Sequence, residues 1–474
     1  MATQSRAIDK PAGFSGGYRW KEFGLLIVPF LILLVGMTQL LLVSANDNTQ
    51  AQFSLKNLPA TQSLLPVFGL IGVFLIANVV MSMYFRKADQ ILLPLVGLLS
   101  GLGVLMATRL GPVLPGNLRD PNLGTKQLLF VLLGVAVGLF TLFLLKNMSW
   151  LSRYKYTWAV ASFLILIPSV INGLKSLHSA APTHDSIRLA GLQLQPSEFL
   201  KITIVVFFAG YLTENRDVIA QGFVRLGILR IPPIRQLGPL ILMLGVALIF
   251  FLIVRELGIA LLIYGLYLSL TYIASGKLGY TMINLGIFVI LALVGYVLLS
   301  YVRARFAVVT FNVLDWQHWT QNQETFAEGP GLQVVQGVIA LSSGGILGAG
   351  LGQGAPYLVP IAQSDMIVTA LGEELGLAGL LAIVGIYLLI VYRGFRIAIE
   401  ATDPFNKLLA AGLTSIFALQ TAVVCAGNMK FFPLTGISLP FVAAGGSSLF
   451  ANFIIIGLLL RISHNTAMER EGLA

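Results

Sequence analysis

Twelve long apolar runs constrain this chain more than any other feature. They cover about 22–44, 64–85, 90–108, 128–145, 156–172, 198–213, 236–254, 256–275, 281–302, 366–392, 406–427 and 440–461. A bilayer core of roughly 30 Å needs about 20 apolar residues in a helix, and backbone polar groups in lipid must be satisfied within the helix itself. Runs of this length, without the period-2 alternation of a membrane barrel, predict an all-α, polytopic helical membrane protein of about 12 transmembrane helices. Only 11% of the residues are charged, against about 25% in soluble domains.

The charges that remain are placed, not scattered. With the N-terminus inside, most of the 30 Lys and Arg fall at cytoplasmic helix ends, which predicts both termini in the cytoplasm. The net charge of +10 is then explained by topology and by attraction to anionic lipid, not by nucleic acid. The first run is longer than a signal-peptide core and is read as an uncleaved span. The single cysteine, Cys425, excludes an intrachain disulfide framework, and four scattered histidines have no metal-ligand spacing. No GxxxxGK[ST] loop is present, which disfavours ATP-driven transport by this chain alone.

Two connections on the outer side are long, about 172–196 and 303–364. The second holds Trp316, Trp319 and the glycine-rich "SSGGILGAGLGQG", and reads as a structured cap with short amphipathic pieces on the interface. The chemistry is therefore expected on the outer face. Asp365 stands where this loop enters the tenth span. On a continuous helix Asp365, Thr369, Gly372, Glu373 and Gly376 form one stripe, with Asp365 and Glu373 about 12 Å apart along the axis. That separation exceeds the roughly 5–9.5 Å of a two-carboxylate glycosidase, so the stripe suits one working carboxylate with structural acids below it. The plain alternative for Asp365 is a first-turn acid favoured by the helix dipole; for Glu373 and Glu374 it is a capping or ion-pair role.

In "GLQLQPSEFLK", Pro196 suits a helix start, with Gln195, Ser197 and Glu198 around it. Lys201, one turn deeper, needs an acid partner or an anionic ligand, and Glu256 is the expected partner. A third cluster, "MKFFPLTGISLPFVAAGGSS", breaks the backbone beside the last span, as happens where chain lines a cavity. Arg188, Lys201, Lys430 and Arg255 are candidates for a basic outer pocket that would take a lipid diphosphate.

The stretches "LQPSEFLK", "SSGGILGAGLGQG", "SDMIVTALGEELGLAG" and "PLTGISLPFVAAGGSSLFANFIIIGLLLRIS" resemble the SEDS proteins, the RodA, FtsW and SpoVE family of peptidoglycan glycosyltransferases. The resemblance covers about 88–463 and implies a cytoplasmic segment 1–21, two additional spans in 22–87, a ten-span core 88–463 and a cytoplasmic tail 464–474. It implies glycan polymerisation from lipid II at the outer face of the bacterial cytoplasmic membrane, for elongation or division. It makes Asp365 the catalytic acid-base residue, Lys201 the family lysine, and Glu256 the counterpart of an intramembrane aspartate. Gln195, Ser197, Glu198, Arg188, Lys430 and Gln333 are substrate-binding candidates. A divalent cation such as Mg or Mn would rest on Asp365 if one is used. The implied partners are a class B penicillin-binding protein and membrane lipids. The sequence departs from the family pattern at Asp185, Ser186, Ala443 and Ala444. Two rival readings share these features: a flippase for the lipid-linked precursor, and a non-catalytic scaffold for the transpeptidase.

Overall fold

The structure, a computed structural model, describes residues 18–47, 65–175, 187–189, 192–215, 224–226, 229–231 and 244–472. Eleven helices in it are long and apolar enough to cross a membrane, and the chain is a multi-pass membrane protein. In order these are α1 (Trp20–Asp47), α2 (Leu65–Tyr84), α3 (Leu92–Leu110), α4 (Leu123–Leu144), then, after the short α5 (Ser149–Arg153), α6 (Lys155–Lys175) and α7 (Pro196–Glu214). The short apolar α8 (Leu244–Val254) precedes α9 (Leu257–Ser275) and α10 (Leu278–Leu298). The set closes with α14 (Ile367–Glu400), α15 (Pro404–Asn428) and α16 (Gly446–Arg470). The expected twelfth span, 236–254, is described only from Leu244; its first part lies outside the described residues. The segment expected as a tail from 464 is instead the last turns of α16 up to Arg470.

Two three-residue antiparallel hairpins interrupt the helical order. They are β1 (Ile187–Leu189) with β2 (Leu192–Leu194), and β3 (Val224–Leu226) with β4 (Leu229–Ile231). The long 303–364 connection is largely helical: α11 (Ser300–Thr310), α12 (Gln321–Glu328) and α13 (Leu332–Gly344). Thr320 and Gln323 start α12 with a reciprocal capping box. Phe311 packs on Trp319 and on Phe326, each at 5.1 Å between ring centroids, giving this cap a small apolar core of its own with Val313, Ala327 and Val335.

Helices of similar hydropathy on all sides cannot sort themselves by the hydrophobic effect in lipid, so close backbone approach decides the packing. A Cβ at Gly101 of α3 would lie 2.1 Å from Leu33 of α1, and one at Gly457 of α16 would lie 2.6 Å from the Gly138 carbonyl of α4. α1 and α2 are fixed to the rest through Arg19. Its guanidinium is buried and donates to the carbonyls of Phe85 (2.7 Å), Ala88 (3.0 Å) and Asp89 (2.6 Å), and pairs with Glu22. Glu22 in turn accepts from Asn78 of α2 at 2.7 Å.

The alternating helices define two ends. Asp365, Lys430 and the α11–α13 cap sit at one end. The start of α1, the α2–α3 connection and the end of α16 sit at the other, joined there by Lys87–Glu471 and Arg393–Asp89.

Candidate active site

Asp365 does not lie on the helix the stripe assumed. α14 begins at Ile367, and Asp365 occupies the turn before it, half-buried. Thr369, expected on the same face, is fully buried and bonds back to the Met366 carbonyl at 2.7 Å. Three elements hold the Asp365 turn. Asn428, at the end of α15, donates to the Asp365 carbonyl at 2.8 Å. Ala444 N–H donates to the Gln363 carbonyl at 2.8 Å. Ile361, just upstream, adopts a left-handed φ of 58°, a conformation that costs about 1–3 kcal/mol for a bulky residue and tends to persist at functional sites.

Loss of hydration raises the Asp365 carboxyl above its ordinary range; the Ser364 hydroxyl and the Arg305 guanidinium work against that shift. Arg305, on α11, also donates to the Leu434 carbonyl at 2.5 Å. Together with Arg255 it faces Tyr301, whose hydroxyl burial pushes up to about 12. Lys430, with a left-handed φ of 63°, donates to the Phe311 carbonyl of the cap, and partial burial lowers its ammonium pKa. Two buried side-chain oxygens close by, of Gln363 and Asn428, have no hydrogen-bond partner among the described residues. Buried acceptors of this kind are rare and call for a ligand or solvent.

Arg305, Asn428 and Gln363 are the residues that sequence reasoning missed. Arg305 sits in an amphipathic stretch of the cap, and Asn428 ends an apolar run. Only the fold brings them to Asp365.

Lys201 corrects an expectation. Its ammonium is 2% exposed and donates to Glu198 on its own helix at 2.7 Å and to Gln420 of α15 at 2.8 Å. The pair with Glu256 does not form, because the i,i+3 acid is already in reach and a neutral amide completes the shell. The network continues through Gln420 to the Ser438 carbonyl (2.8 Å) and from Ser438 to Ser448 (3.2 Å). The Gln195 N–H donates to Ser447 at 3.1 Å, and Ser197 is buried beside it. Lys201, Glu198 and Gln420 therefore brace α7 against α15 and the 433–445 segment, behind the Asp365 turn.

Glu256 is buried at the start of α9, directly after Arg255, which has a left-handed φ of 59°. Gly258 lies so close to Thr435 that a Cβ would meet the Thr435 carbonyl at 2.5 Å, so this helix start rests on the same 433–445 segment. Arg188 lies in β1 opposite Gln193, and Gln333 is half-buried at the start of α13. Asp185 and Ser186 lie outside the described residues. At the two alanine departures the main chain does the bonding: the Ala443 carbonyl accepts from Gln127 at 3.2 Å, and the Ala444 N–H makes the bond to Gln363.

Glu373 and Glu374 anchor the glycine-rich loop. Glu373 Oε1 accepts from Ala355 N–H at 2.7 Å. Glu374 Oε1 pairs with Arg109 of α3 at 3.1 Å, and Arg109 also binds the carbonyls of Gly352 and Gly354 at 2.9 Å each. Immediately beyond, α14 is broken at Gly376 (φ 69°, ψ −174°). The N–H groups of Leu377 and Ala378, freed by the break, donate to the carbonyls of Gly345 and Ile346 at 3.0 Å. The loop thus completes the helix ladder, and the remaining 377–400 still reaches about 36 Å at 1.5 Å per residue. The two acids sit on the Asp365 side of that crossing, not deep within it.

Among the described residues no group of three or more His, Cys, Asp or Glu is placed to hold a metal ion. The donor set at Asp365 fits a divalent cation only as one carboxylate shared with phosphate oxygens of a ligand, as Mg is often bound.

This fold defines a polytopic membrane protein with the half-buried carboxylate of Asp365, faced by Arg305, at the capped end of the bundle. The family described as Cell cycle protein (FtsW/RodA/SpoVE) matches residues 89–468. The chain is 36% identical over 430 residues to the peptidoglycan glycosyltransferase RodA of Mycobacterium tuberculosis, covering 90% of this chain and 87% of that protein. It is 30% identical over 392 residues to the probable peptidoglycan glycosyltransferase FtsW of Trichlorobacter lovleyi, covering 80% and 94%. A chain from a peptidoglycan synthase complex that coordinates polymerization and crosslinking superposes with a TM-score of 0.58 at 22% identity, covering 80% of this chain and 98% of that one. The chain belongs to the FtsW/RodA/SpoVE family. The match begins at 89, after α2, so α1 and α2 precede it.

Proposed function

We propose that this peptidoglycan glycosyltransferase, serving cell elongation or division, polymerises lipid II with Asp365 as its general base. The relatives' activity supplies the reaction class. The observation that supports the assignment is the carboxyl of Asp365: partly open, poorly hydrated, and faced by Arg305. A sugar hydroxyl of the acceptor would lose its proton to Asp365 as it attacks C1 of the donor, and the lipid diphosphate would leave. A positioned base contributes about 10²–10⁴-fold. The developing negative charge on the diphosphate suits Lys430 and Arg305, which offer cationic donors at the same mouth. The unpartnered oxygens of Gln363 and Asn428 suit sugar hydroxyls. Single-step inversion needs only one carboxylate. Where a divalent cation is used, Asp365 would contribute one ligand and the cation would neutralise diphosphate charge.

The positive-inside distribution supports an orientation with the Asp365 end outside and both termini in the cytoplasm. Cross-linking of the product calls for a transpeptidase, and a class B penicillin-binding protein is the proposed partner. The test is purified chain with lipid II in detergent, with and without that partner. Detergent has no second leaflet, so glycan strands that depend on the chain support polymerisation, whereas a flippase leaves lipid II unpolymerised. Growth unaffected by Asp365→Ala would leave the scaffold reading in place.

A further inference from the structure

A large cavity opens at the end of the bundle opposite Asp365. About 1060 Å³ in volume, it lies between the α4–α5 connection, the start of α15 and the last turns of α16. Lys146, Arg153 and Arg461 line it. Among the described residues none of the three pairs with a carboxylate. Lys146 and Arg153 are exposed and make no side-chain bond among the described residues, and Arg461 Nη2 reaches only the Lys146 carbonyl, at 3.1 Å. Arg461 Nε is buried without a hydrogen-bond partner among the described residues, its guanidinium over the Phe85 ring.

The acids in the same lining are committed elsewhere. Asp403 caps α15 by accepting from Asn406 N–H at 3.0 Å, and Glu469 accepts from Thr402. A second cavity at this end, of about 510 Å³, makes the contrast. There Lys87, Arg393 and Arg396 each have a carboxylate: Glu471 at 2.7 Å, Asp89 at 2.8 Å and Glu400 at 2.7 Å. Three cations of that groove are paired among the described residues, although Lys21 and Arg470 of its lining have no carboxylate there, whereas none of the three in its neighbour is paired.

We infer that the cavity bounded by Lys146, Arg153 and Arg461 is a binding site for a phosphate-bearing ligand, most simply the headgroup of an anionic lipid. Basic pockets between transmembrane helices on the cytoplasmic side suit such headgroups, and each Lys or Arg near the surface contributes roughly fivefold in affinity. The stem of Lys146 and the apolar end of α4 offer surface for acyl chains beside the charge. The lipid source rests on the orientation proposed above; the charge argument does not.

The test uses the full chain in nanodiscs of phosphatidylglycerol and phosphatidylcholine in equal amounts, with retained lipid counted by mass spectrometry after partial delipidation. The native chain should retain phosphatidylglycerol in preference, less so at high salt. Lys146→Ala with Arg153→Ala should lose roughly fivefold in preference per charge removed. Both side chains are exposed, so the melting temperature should stay native. Arg153→Lys should keep the preference, as should Lys87→Ala, whose ammonium is already paired with Glu471 in the neighbouring groove. In a second arm, saturable binding of glycerol 3-phosphate to the delipidated chain, lost in the double variant, would assign the site to a soluble phosphate ester and keep the chemistry. An undiminished preference in the double variant overturns the inference, as does equal retention of both lipids with no phosphate-ester binding. Polymer formation is read in the same preparation and should not change, which separates failure of this site from failure of the active-site reading.

Discussion

Four residues other than glycine have left-handed backbone in the described chain: Arg255, Ile361, Lys430 and Phe441. All four lie at the Asp365 end. At the other end such residues are lacking among those described, and five ion pairs gather there instead: Arg19–Glu22, Lys87–Glu471, Lys155–Glu214, Arg393–Asp89 and Arg396–Glu400. Left-handed backbone gathers at one end; the other carries most of the ion pairs and the buried Arg19 contacts, beside the unpaired cations of the Arg461 cavity. Strain is tolerated where the surrounding structure over-determines it, and it belongs where a group must be held ready. The comparison separates what the bundle needs to stand from what it needs to act.

The network behind Asp365 gives the largest expected effect on stability. Lys201→Met leaves Glu198 buried and unpaired, which costs about 3–5 kcal/mol, measured as chemical or thermal unfolding in detergent. Adding Glu198→Gln should recover much of that loss. A double-mutant cycle between Lys201 and Glu256 should show little coupling. Coupling as large as that with Glu198 would restore the rejected pair.

The glycine-rich anchor should respond next. Gly376→Ala places a Cβ 2.2 Å from Gly348 N in a backbone conformation reserved for glycine. It should cost about 1–3 kcal/mol and impair activity through the cap. A native melting temperature in this variant would mean that the break in α14 is not rigid.

Arg305 sharpens the comparison without unfolding anything. Its charge lowers the Asp365 carboxyl against the desolvation that raises it. A general base works when ionised, so the rate should fall as pH falls through the raised pKa. Arg305→Gln should move that acid limb to higher pH. An unmoved limb would separate Arg305 from the carboxylate. The smallest effect belongs to the paired end: Lys87 and Glu471 are each 44% exposed, and Lys87→Ala should cost about 0.2–1 kcal/mol.

Much of this was legible in the sequence. The spans follow from apolar runs, and the start of α7 from Pro196, because both are local properties. The position of Asp365 at the entrance of a helix was also local. The partner of Lys201 was misread although Glu198 stood three residues away, because a distant acid was favoured over the i,i+3 neighbour, and Gln420 carries no charge to draw notice. The stripe through Gly376 failed because it assumed one unbroken helix, and the glycine-rich loop that repairs the break is distant in sequence. Arg109, Arg305 and Asn428 acquire their roles only when helices far apart in the chain meet. The two cavities at the opposite end left no signal in spacing at all.

The central claim is that Asp365 is kept for chemistry at the expense of the fold. Its folded carboxyl pKa is raised, so the native state favours the protonated form. Its ionisation therefore weakens the fold as pH rises through that pKa, and the penalty vanishes below the unfolded carboxylate range. The direct measurement is polymer yield and melting temperature for the native chain and Asp365→Asn, across pH. The account predicts a variant that makes about 10²–10⁴-fold less polymer, melts higher than the native chain at neutral pH, and loses that advantage in acid. A variant that melts lower at neutral pH and still polymerises lipid II would contradict it.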